Sequence, residues 1–259
     1  MEELQLFAHA RSHGHSVAIR SADEERSYAE LLERSAELAG ALLADDDDLN
    51  ESRVVYLIPA GFEYVAVQWA IWRAGGVAVP LSLSATVPEL EYALCDSECG
   101  CVVVPRDAVG LVEPICQRLN LRLLVLEDDV AGCSAEETLL PDVSSDRRAM
   151  ILYTSGTTSQ PKGVVTTHAN IQSQIESLVE AWEWQATDCI PLFLPLHHIH
   201  GIINVLSCAL WIGGTVETFP RFEMNAVLQR VVARAYSVFM AVPTIYVKLI
   251  QTLDAMSES

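Results

Sequence analysis

The sequence predicts an α/β fold in which mostly parallel sheets are flanked by helices. Short β-branched runs alternate with amphipathic segments along most of the 259 residues, and this alternation is typical of βαβ units. Continuous apolar runs such as Val54–Ile58 suit strands that are buried on both faces, as parallel strands are. The length and a hydrophobic content of 51% supply a sizeable core, which excludes wholesale disorder.

The first half of the chain begins with a helix signal. Residues 27–30, Ser-Tyr-Ala-Glu, have the form of a capping box, and leucines at 31, 38 and 42 continue one helical face after it. The next predicted helix, Phe62–Arg73, ends at a pair of glycines, residues 75 and 76. The remaining elements predicted here are strands Val77–Val79, Cys101–Val104 and Leu123–Leu126, a helix that begins at Thr86 with Pro88 in its first turn, and a helix Leu111–Leu119.

The alternation is interrupted once and then resumes. Residues 127–148 contain acids, serines, a glycine and a proline, so we predict a surface connection within one domain. The elements predicted after it are strand Ala149–Tyr153, helix Ala169–Trp184, a buried helix Ile202–Ile212 ended by two glycines, strand Ser237–Ala241 and helix Pro243–Leu253.

The charge of the chain limits its partners. Sixteen basic against 35 acidic residues give a formal net charge of −19, and such a chain repels nucleic acids and anionic lipid surfaces. The longest stretch without Asp, Glu, Lys or Arg, Cys189–Val216, contains three histidines and two prolines. It therefore predicts buried interior and no membrane span. The acidic start, without a following apolar run, predicts a cytoplasmic protein; an organelle is the alternative if residues precede Met1.

The seven cysteines do not form the pattern of a disulfide framework. Cys95, Cys99 and Cys101 suggest zinc by their spacing, but the next thiol is Cys116 and no histidine lies nearby in the sequence. We predict buried, reduced thiols and a reducing compartment.

A second cluster, His197, His198 and His200, also invites a metal interpretation. Adjacent histidines point in divergent directions, however, and no carboxylate stands beside them in the sequence. No metal site from protein clusters is predicted.

Residues 153–164 carry the strongest chemical signal, with the sequence YTSGTTSQPKGV directly after a predicted strand. Hydroxyls and backbone N–H groups beside glycine bind phosphate oxygens, and Lys162, one of only two lysines in the chain, adds positive charge. The pattern differs from a Walker A loop because Pro161 and Gly163 flank the lysine and a strand is predicted after it. A plain Ser/Thr/Gly turn is the alternative.

On these residues the chain resembles the adenylate-forming superfamily of acyl-CoA synthetases, firefly-type luciferases and peptide-synthetase adenylation domains. The family signature, [YF]TSGTTGxPKGV, agrees with residues 153–164 except at Ser159, where the family has glycine. Three other segments are similar to family motifs: Arg73–Leu81, Leu194–Gly201 and Val242–Thr244. The resemblance extends over nearly the whole chain and implies the large N-terminal domain of that family.

The resemblance implies that ATP activates a carboxylic acid as an acyl-adenylate, and that coenzyme A then displaces AMP. ATP and coenzyme A are substrates, and Mg²⁺ is expected near Thr154 or Thr158. The implied catalytic residues are Lys162, Thr158 and His198. The implied phosphate-binding residues are Thr154, Ser155, Gly156, Thr157, Thr158, Ser159 and Lys162.

The resemblance also implies an acyl-substrate pocket formed by His198, His200, Gly201 and Val242. His198 corresponds to a residue that borders the reacting carboxylate. A polar His200, where most members are apolar or aromatic, suits a small polar acid, and with residues 180–183 the segment most resembles malonyl-CoA synthetases. We predict a malonate-like substrate; the alternatives are another short, medium-chain or aryl acid, or a non-catalytic form that binds only nucleotide or a partner.

The resemblance concerns the N-terminal portion of the family. Its Tyr-Gly-x-Thr-Glu and Thr-Gly-Asp segments and its small C-terminal domain have no counterpart in the 259 residues. We therefore expect residues 1–259 to form an incomplete AMP-binding N-terminal domain that does not catalyse the complete ligase reaction alone. The oligomeric state is left open.

Overall fold

The structure, a computed structural model, describes residues 3–130, 133–136, 138–154, 160–219 and 222–257. The strands are β1 Val17–Arg20, β2 Glu25–Ser27, β3 Arg53–Tyr56, β4 Val77–Pro80, β5 Cys101–Val104, β6 Arg122–Val125, β7 Arg148–Thr154, β8 Lys162–Thr167, β9 Cys189–Leu192 and β10 Thr215–Thr218. The helices are α1 Gln5–Ser12, α2 Tyr28–Leu43, α3 Phe62–Arg73, α4 Val87–Asp96, α5 Val109–Leu119, α6 Leu126–Asp129, α7 His168–Ala181, α8 Cys208–Ile212, α9 Met224–Val232 and α10 Pro243–Ser257, with a 3₁₀ turn at Arg106–Ala108 and a π-helix at His200–Ser207.

The strands form two sheets. The larger has six strands in the order β6-β5-β3-β4-β7-β8, and the smaller has four in the order β2-β1-β10-β9. Each pairing is parallel except the two hairpins, β1–β2 and β7–β8. The predicted α/β fold with mostly parallel sheets flanked by helices is confirmed.

Local sequence signals set several helix starts. The Ser27 hydroxyl accepts from the Glu30 backbone N–H at 3.2 Å, and the Glu30 carboxylate accepts from the Ser27 N–H at 2.7 Å, which completes the predicted capping box of α2. At the start of α4, the Glu89 carboxylate likewise accepts from the Thr86 backbone N–H, at 2.7 Å. Helix α3 is buried continuously from Tyr64 to Arg73, as expected of a helix that is apolar on all sides.

Two strand predictions are wrong. Ser237–Ala241 is not a strand: the N–H groups of Ser237 and Val238 both donate to the Cys189 carbonyl, at 3.1 and 3.4 Å, without forming a ladder. Leu126 begins the short helix α6 instead of ending β6, because the Asp129 carboxylate accepts the Val125 N–H at 2.6 Å.

For the cluster Cys95, Cys99 and Cys101, the prediction of buried thiols is wrong at one position. All seven cysteines are free, and Cys99, Cys101 and Cys116 are buried, but Cys95 is exposed. Cys95 lies on the outer face of α4, whereas Cys99 and Cys116 pack into the apolar cluster beneath the larger sheet. Burial raises the pKa of Cys99 to about 12, which keeps this thiol protonated and unreactive.

His168 is a buried titratable group in the layer between α7 and α3. It is 7% exposed, its ring meets Trp72 edge-on at 5.8 Å, and its Nε2 has no hydrogen-bond partner. Burial, and then the nearby positive charge of Arg147, lower the pKa of His168 to about 4. The folded state therefore holds this imidazole neutral, whereas an unfolded chain protonates it near its ordinary pKa.

This burial predicts a loss of stability in mild acid. Because the unfolded state binds the proton first, the His168 contribution is lost as pH falls from about 6.5 toward about 4, costing about 2 kcal/mol at pH ~4.5. The variant His168→Phe should lose less unfolding free energy over this range than the wild type in urea titrations. Parallel stability–pH curves for the two proteins would contradict the assignment.

Candidate active site

Strands β7 and β8, which flank the hydroxyl-rich segment, pair as an antiparallel hairpin. Thr154, the last residue of β7, pairs with Lys162, the first residue of β8, and the Thr154 hydroxyl lies 3.5 Å from the Lys162 carbonyl oxygen. A strand does follow the lysine, so the predicted difference from a Walker A loop is confirmed. Five predicted phosphate-binding residues lie outside the described residues: Ser155, Gly156, Thr157, Thr158 and Ser159.

Strand β7 and the residue that precedes β8 both contact helix α4. The Tyr92 hydroxyl donates to the Pro161 carbonyl at 2.9 Å, and the Tyr153 hydroxyl donates to the Asp96 carboxylate at 2.9 Å. The two tyrosine rings meet edge-on, with centroids 6.2 Å apart. Burial, and then the neighbouring Asp96, raise the pKa of Tyr153, so its hydroxyl stays a proton donor at neutral pH.

An open pocket of about 330 Å³ lies at the carboxyl ends of β4 and β7. This edge is where ligands bind in parallel α/β sheets. The pocket is lined by Pro80, Leu81, Ser82, Ala85, Pro88, Glu89, Tyr92, Ala93, Tyr153, Gln160, Pro161 and His197. The sequence did not predict that the α4 residues or His197 would line a ligand-binding pocket. The available signal was the spacing of Tyr92 and Asp96, one helical turn apart on the predicted helix that begins at Thr86.

Of the four predicted acyl-pocket residues, His198, His200 and Gly201 lie together at the start of the π-helix, whereas Val242 lies at the start of α10. His198 is exposed and His200 half-buried at the start of the π-helix, a helix type that often marks functional sites. The His197 and His198 rings are 4.2 Å apart, and burial, with a smaller effect of His198, lowers the pKa of His197. Among these histidines, it is His197 that faces the 330 Å³ pocket.

Gly201 and Val242 occupy different surroundings. Gly201 is buried, and a Cβ there would lie 2.8 Å from the Pro195 carbonyl oxygen, so the close backbone approach requires glycine. Val242 is exposed at the start of α10. Upstream of it, the Phe239 ring lies 5.6 Å from the ring of Phe193, which directly precedes the segment Leu194–Gly201, and 6.0 Å from the ring of Tyr246 on α10.

Two further properties concern the described part of the chain. It contains no group of three or more His, Cys, Asp or Glu side chains placed to hold a metal ion. None of its helices has the length and apolar character that crossing a bilayer requires.

Residues 6–259 match the family model described as AMP-binding enzyme. The chain belongs to this family. It is 37% identical to the mitochondrial malonate–CoA ligase ACSF3 of Homo sapiens and 39% identical to that of Mus musculus, over 96% of this chain and 45% of each relative. The resemblance to adenylate-forming enzymes is confirmed.

A solved structure agrees in fold. The crystal structure of ATP-bound MatB from Rhodopseudomonas palustris is 30% identical and has a TM-score of 0.87, covering 96% of this chain and 51% of that chain. The chain thus spans about half the length of the curated relatives and of the solved structure that it matches.

The close approach at Gly201 predicts a steric defect on substitution. Gly201→Ala pushes its methyl group into the Pro195 carbonyl, and overpacking of this kind costs about 1–3 kcal/mol. Gly110→Ala is the matched control, because a Cβ at Gly110 meets nothing within 4 Å. Thermal unfolding should show a lowered Tm for Gly201→Ala and an unchanged or raised Tm for Gly110→Ala. Equal Tm values would contradict the steric argument.

Proposed function

We propose that the chain supplies the ATP-phosphate-binding and acid-binding parts of an AMP-forming acid–CoA ligase that acts on a small diacid such as malonate. The observation that carries the proposal is the hairpin that places Lys162 opposite Thr154 at the carboxyl end of β7, in a chain that matches the AMP-binding family along its length. The names of the malonate–CoA ligase relatives support the choice of acid.

Phosphate binding in this proposal combines one cation with several neutral donors. Lys162 is exposed at the hairpin end and presents an ammonium to the β- and γ-phosphates. The hydroxyl and backbone donors of residues 154–159, including Thr157 and Thr158, complete the set. A threonine hydroxyl is a hard oxygen ligand that fits Mg²⁺, which takes its other ligands from phosphates and water, so Thr154 or Thr158 would hold the metal that accompanies ATP.

The histidine segment would bind the acid. Exposed His198 is accessible to a reacting carboxylate, and half-buried His200 supplies a polar wall. A diacid such as malonate keeps one carboxylate after the other has reacted, and an apolar wall would leave that charge without a hydrogen-bond partner. Polar side chains at this segment therefore favour malonate over medium-chain or aryl acids.

The reaction proposed has two displacements. A carboxylate oxygen attacks the α-phosphorus of ATP, and the bond to the β-phosphate oxygen breaks, so pyrophosphate leaves toward Lys162. The thiol sulfur of coenzyme A then attacks the acyl carbonyl carbon, its proton passes to solvent, and AMP leaves. In both steps the residues of this chain position reactants and stabilise negative charge, which is how protein groups accelerate phosphoryl-type transfers.

A cytoplasmic location stays a prediction, and the names of the relatives make mitochondria a second location to test.

The acid preference is testable in a longer protein that contains residues 1–259. Pyrophosphate release should be fastest with malonate. In the same protein, Lys162→Ala tests the phosphate site: it should lower kcat/KM for ATP by roughly 10- to 100-fold, the contribution of a charged hydrogen bond. Lys248→Ala is the matched control, since the other lysine lies on α10. Equal turnover of malonate, octanoate and coumarate would contradict the choice of acid.

Ser159 allows a second test of the phosphate assignment. Ser159→Gly restores the family residue, and if this position needs a positive φ it removes a strain of about 1 kcal/mol. The KM for ATP should fall, while the KM for the acid stays constant because the proposed role of the loop is to bind the phosphates of ATP. Steady-state kinetics with each substrate varied separately measures both. An unchanged KM for ATP would show that serine is tolerated without strain.

A further inference from the structure

We propose that Tyr92 is a positioning residue that sets the orientation of Lys162 by holding the carbonyl of the preceding residue. The inference rests on the proposed role of Lys162 in phosphate binding. It assigns to α4, a helix outside the hairpin, control over the cation at the hairpin end.

The contact acts on the peptide unit that contains the Lys162 nitrogen. Tyr92 Oη lies 2.9 Å from the Pro161 carbonyl oxygen, across 69 residues of sequence. That carbonyl and the Lys162 nitrogen belong to one planar peptide group, so fixing the oxygen fixes the plane from which the Lys162 Cα projects. Proline has no N–H, and its carbonyl is the single backbone group that a neighbour can bind.

The opposite stem is attached to the same helix. Tyr153, which immediately precedes Thr154, donates to Asp96 at 2.9 Å across 57 residues of sequence. Tyr92 and Asp96 are one turn apart on α4, so they lie on one helical face. Strand β7 at Tyr153 and the chain at Pro161, just before β8, are thereby both held against one rigid helix, each one residue from Thr154 or Lys162.

The position of the hairpin explains why an external attachment matters. Strand β8 is at the edge of the larger sheet, with β7 as its sheet neighbour. Val164 and Val165 in β8 are 48% and 49% exposed, so little apolar burial fixes this strand. Edge hairpins with few buried contacts open and twist readily. The hydrogen bond from Tyr92 opposes such motion where the lysine side chain begins.

The alternative role for Tyr92 is packing alone, because its ring also lines the 330 Å³ pocket beside Tyr153 and His197. Tyr92→Phe separates the two roles, since phenylalanine keeps the ring and removes only the hydroxyl. Tyr28→Phe is a matched control: the Tyr28 hydroxyl donates to the Gly214 carbonyl at 2.6 Å in the buried core, a tyrosine-to-carbonyl bond in the other sheet region.

The experiment titrates Mg²⁺-pyrophosphate into the purified 259-residue chain and follows binding by ³¹P NMR, with thermal unfolding of each variant in parallel. Tyr92→Phe should weaken pyrophosphate binding about 3- to 10-fold, the effect of one lost hydrogen bond, with nearly unchanged Tm. Tyr153→Phe should act in the same direction. Tyr28→Phe should lower Tm and leave pyrophosphate affinity unchanged.

The outcomes distinguish this inference from the proposed function. If the wild type binds pyrophosphate, Lys162→Ala weakens binding and Tyr92→Phe binds as the wild type does, the positioning role is wrong and the phosphate role of Lys162 stands. Equal weakening by Tyr92→Phe and Tyr28→Phe would also overturn it, because general destabilisation would then explain both. If wild type and Lys162→Ala are alike, the proposed phosphate site fails, and the role of Tyr92 fails with it.

Discussion

The antiparallel pairing of β7 with β8, at the edge of an otherwise parallel sheet, is the constraint on which the candidate site depends. A parallel connection after β7 needs a crossover of a dozen residues or more, usually a helix, and would carry the next strand away. The hairpin instead returns the chain at once, so that Thr154 and Lys162 occupy paired positions. Because β7 is anchored in the sheet by its pairing with β4 at Ala78 and Met150, the hairpin end lies beside the loop that follows β4. The same edge carries the pocket lined by α4 and His197.

The acidity of the chain restricts how the proposed phosphate site at Lys162 could bind polyphosphate. With a formal net charge of −19, the average field of the protein opposes the approach of a polyphosphate. In the proposed phosphate site, affinity would then come from short-range donors and from Mg²⁺, which neutralises phosphate charge locally. A single lysine at the hairpin end contributes most when its position is fixed, because each degree of freedom left to it costs entropy on binding. In the proposed site, the tyrosine contacts between α4 and the hairpin at Tyr153 and Pro161 would restrict that freedom.

The histidine segment combines a tightly packed glycine with exposed and half-buried histidines. Gly201, in the π-helix, is buried against the Pro195 carbonyl oxygen, where a Cβ would lie only 2.8 Å away. A few residues earlier, His198 is exposed and His197 lines the pocket. One short motif therefore contains both a glycine that close packing requires and histidines that remain accessible.

The sequence by itself determined the features that depend on residues close together along the chain. The capping box at Ser27 and Glu30, the parallel-sheet alternation and the hydroxyl-rich hairpin all depend on residues within a few positions of one another, so periodicity and spacing revealed them. Only the tertiary structure decided the smaller sheet, whose strands are three or four residues long, include Pro191 and join distant parts of the chain, as where Ile19 pairs with Val216. It also decided that Ser237–Ala241 is not a strand and that Tyr92 meets Pro161. Such contacts depend on which surfaces pack together once the core forms, and a short window of sequence does not contain that information.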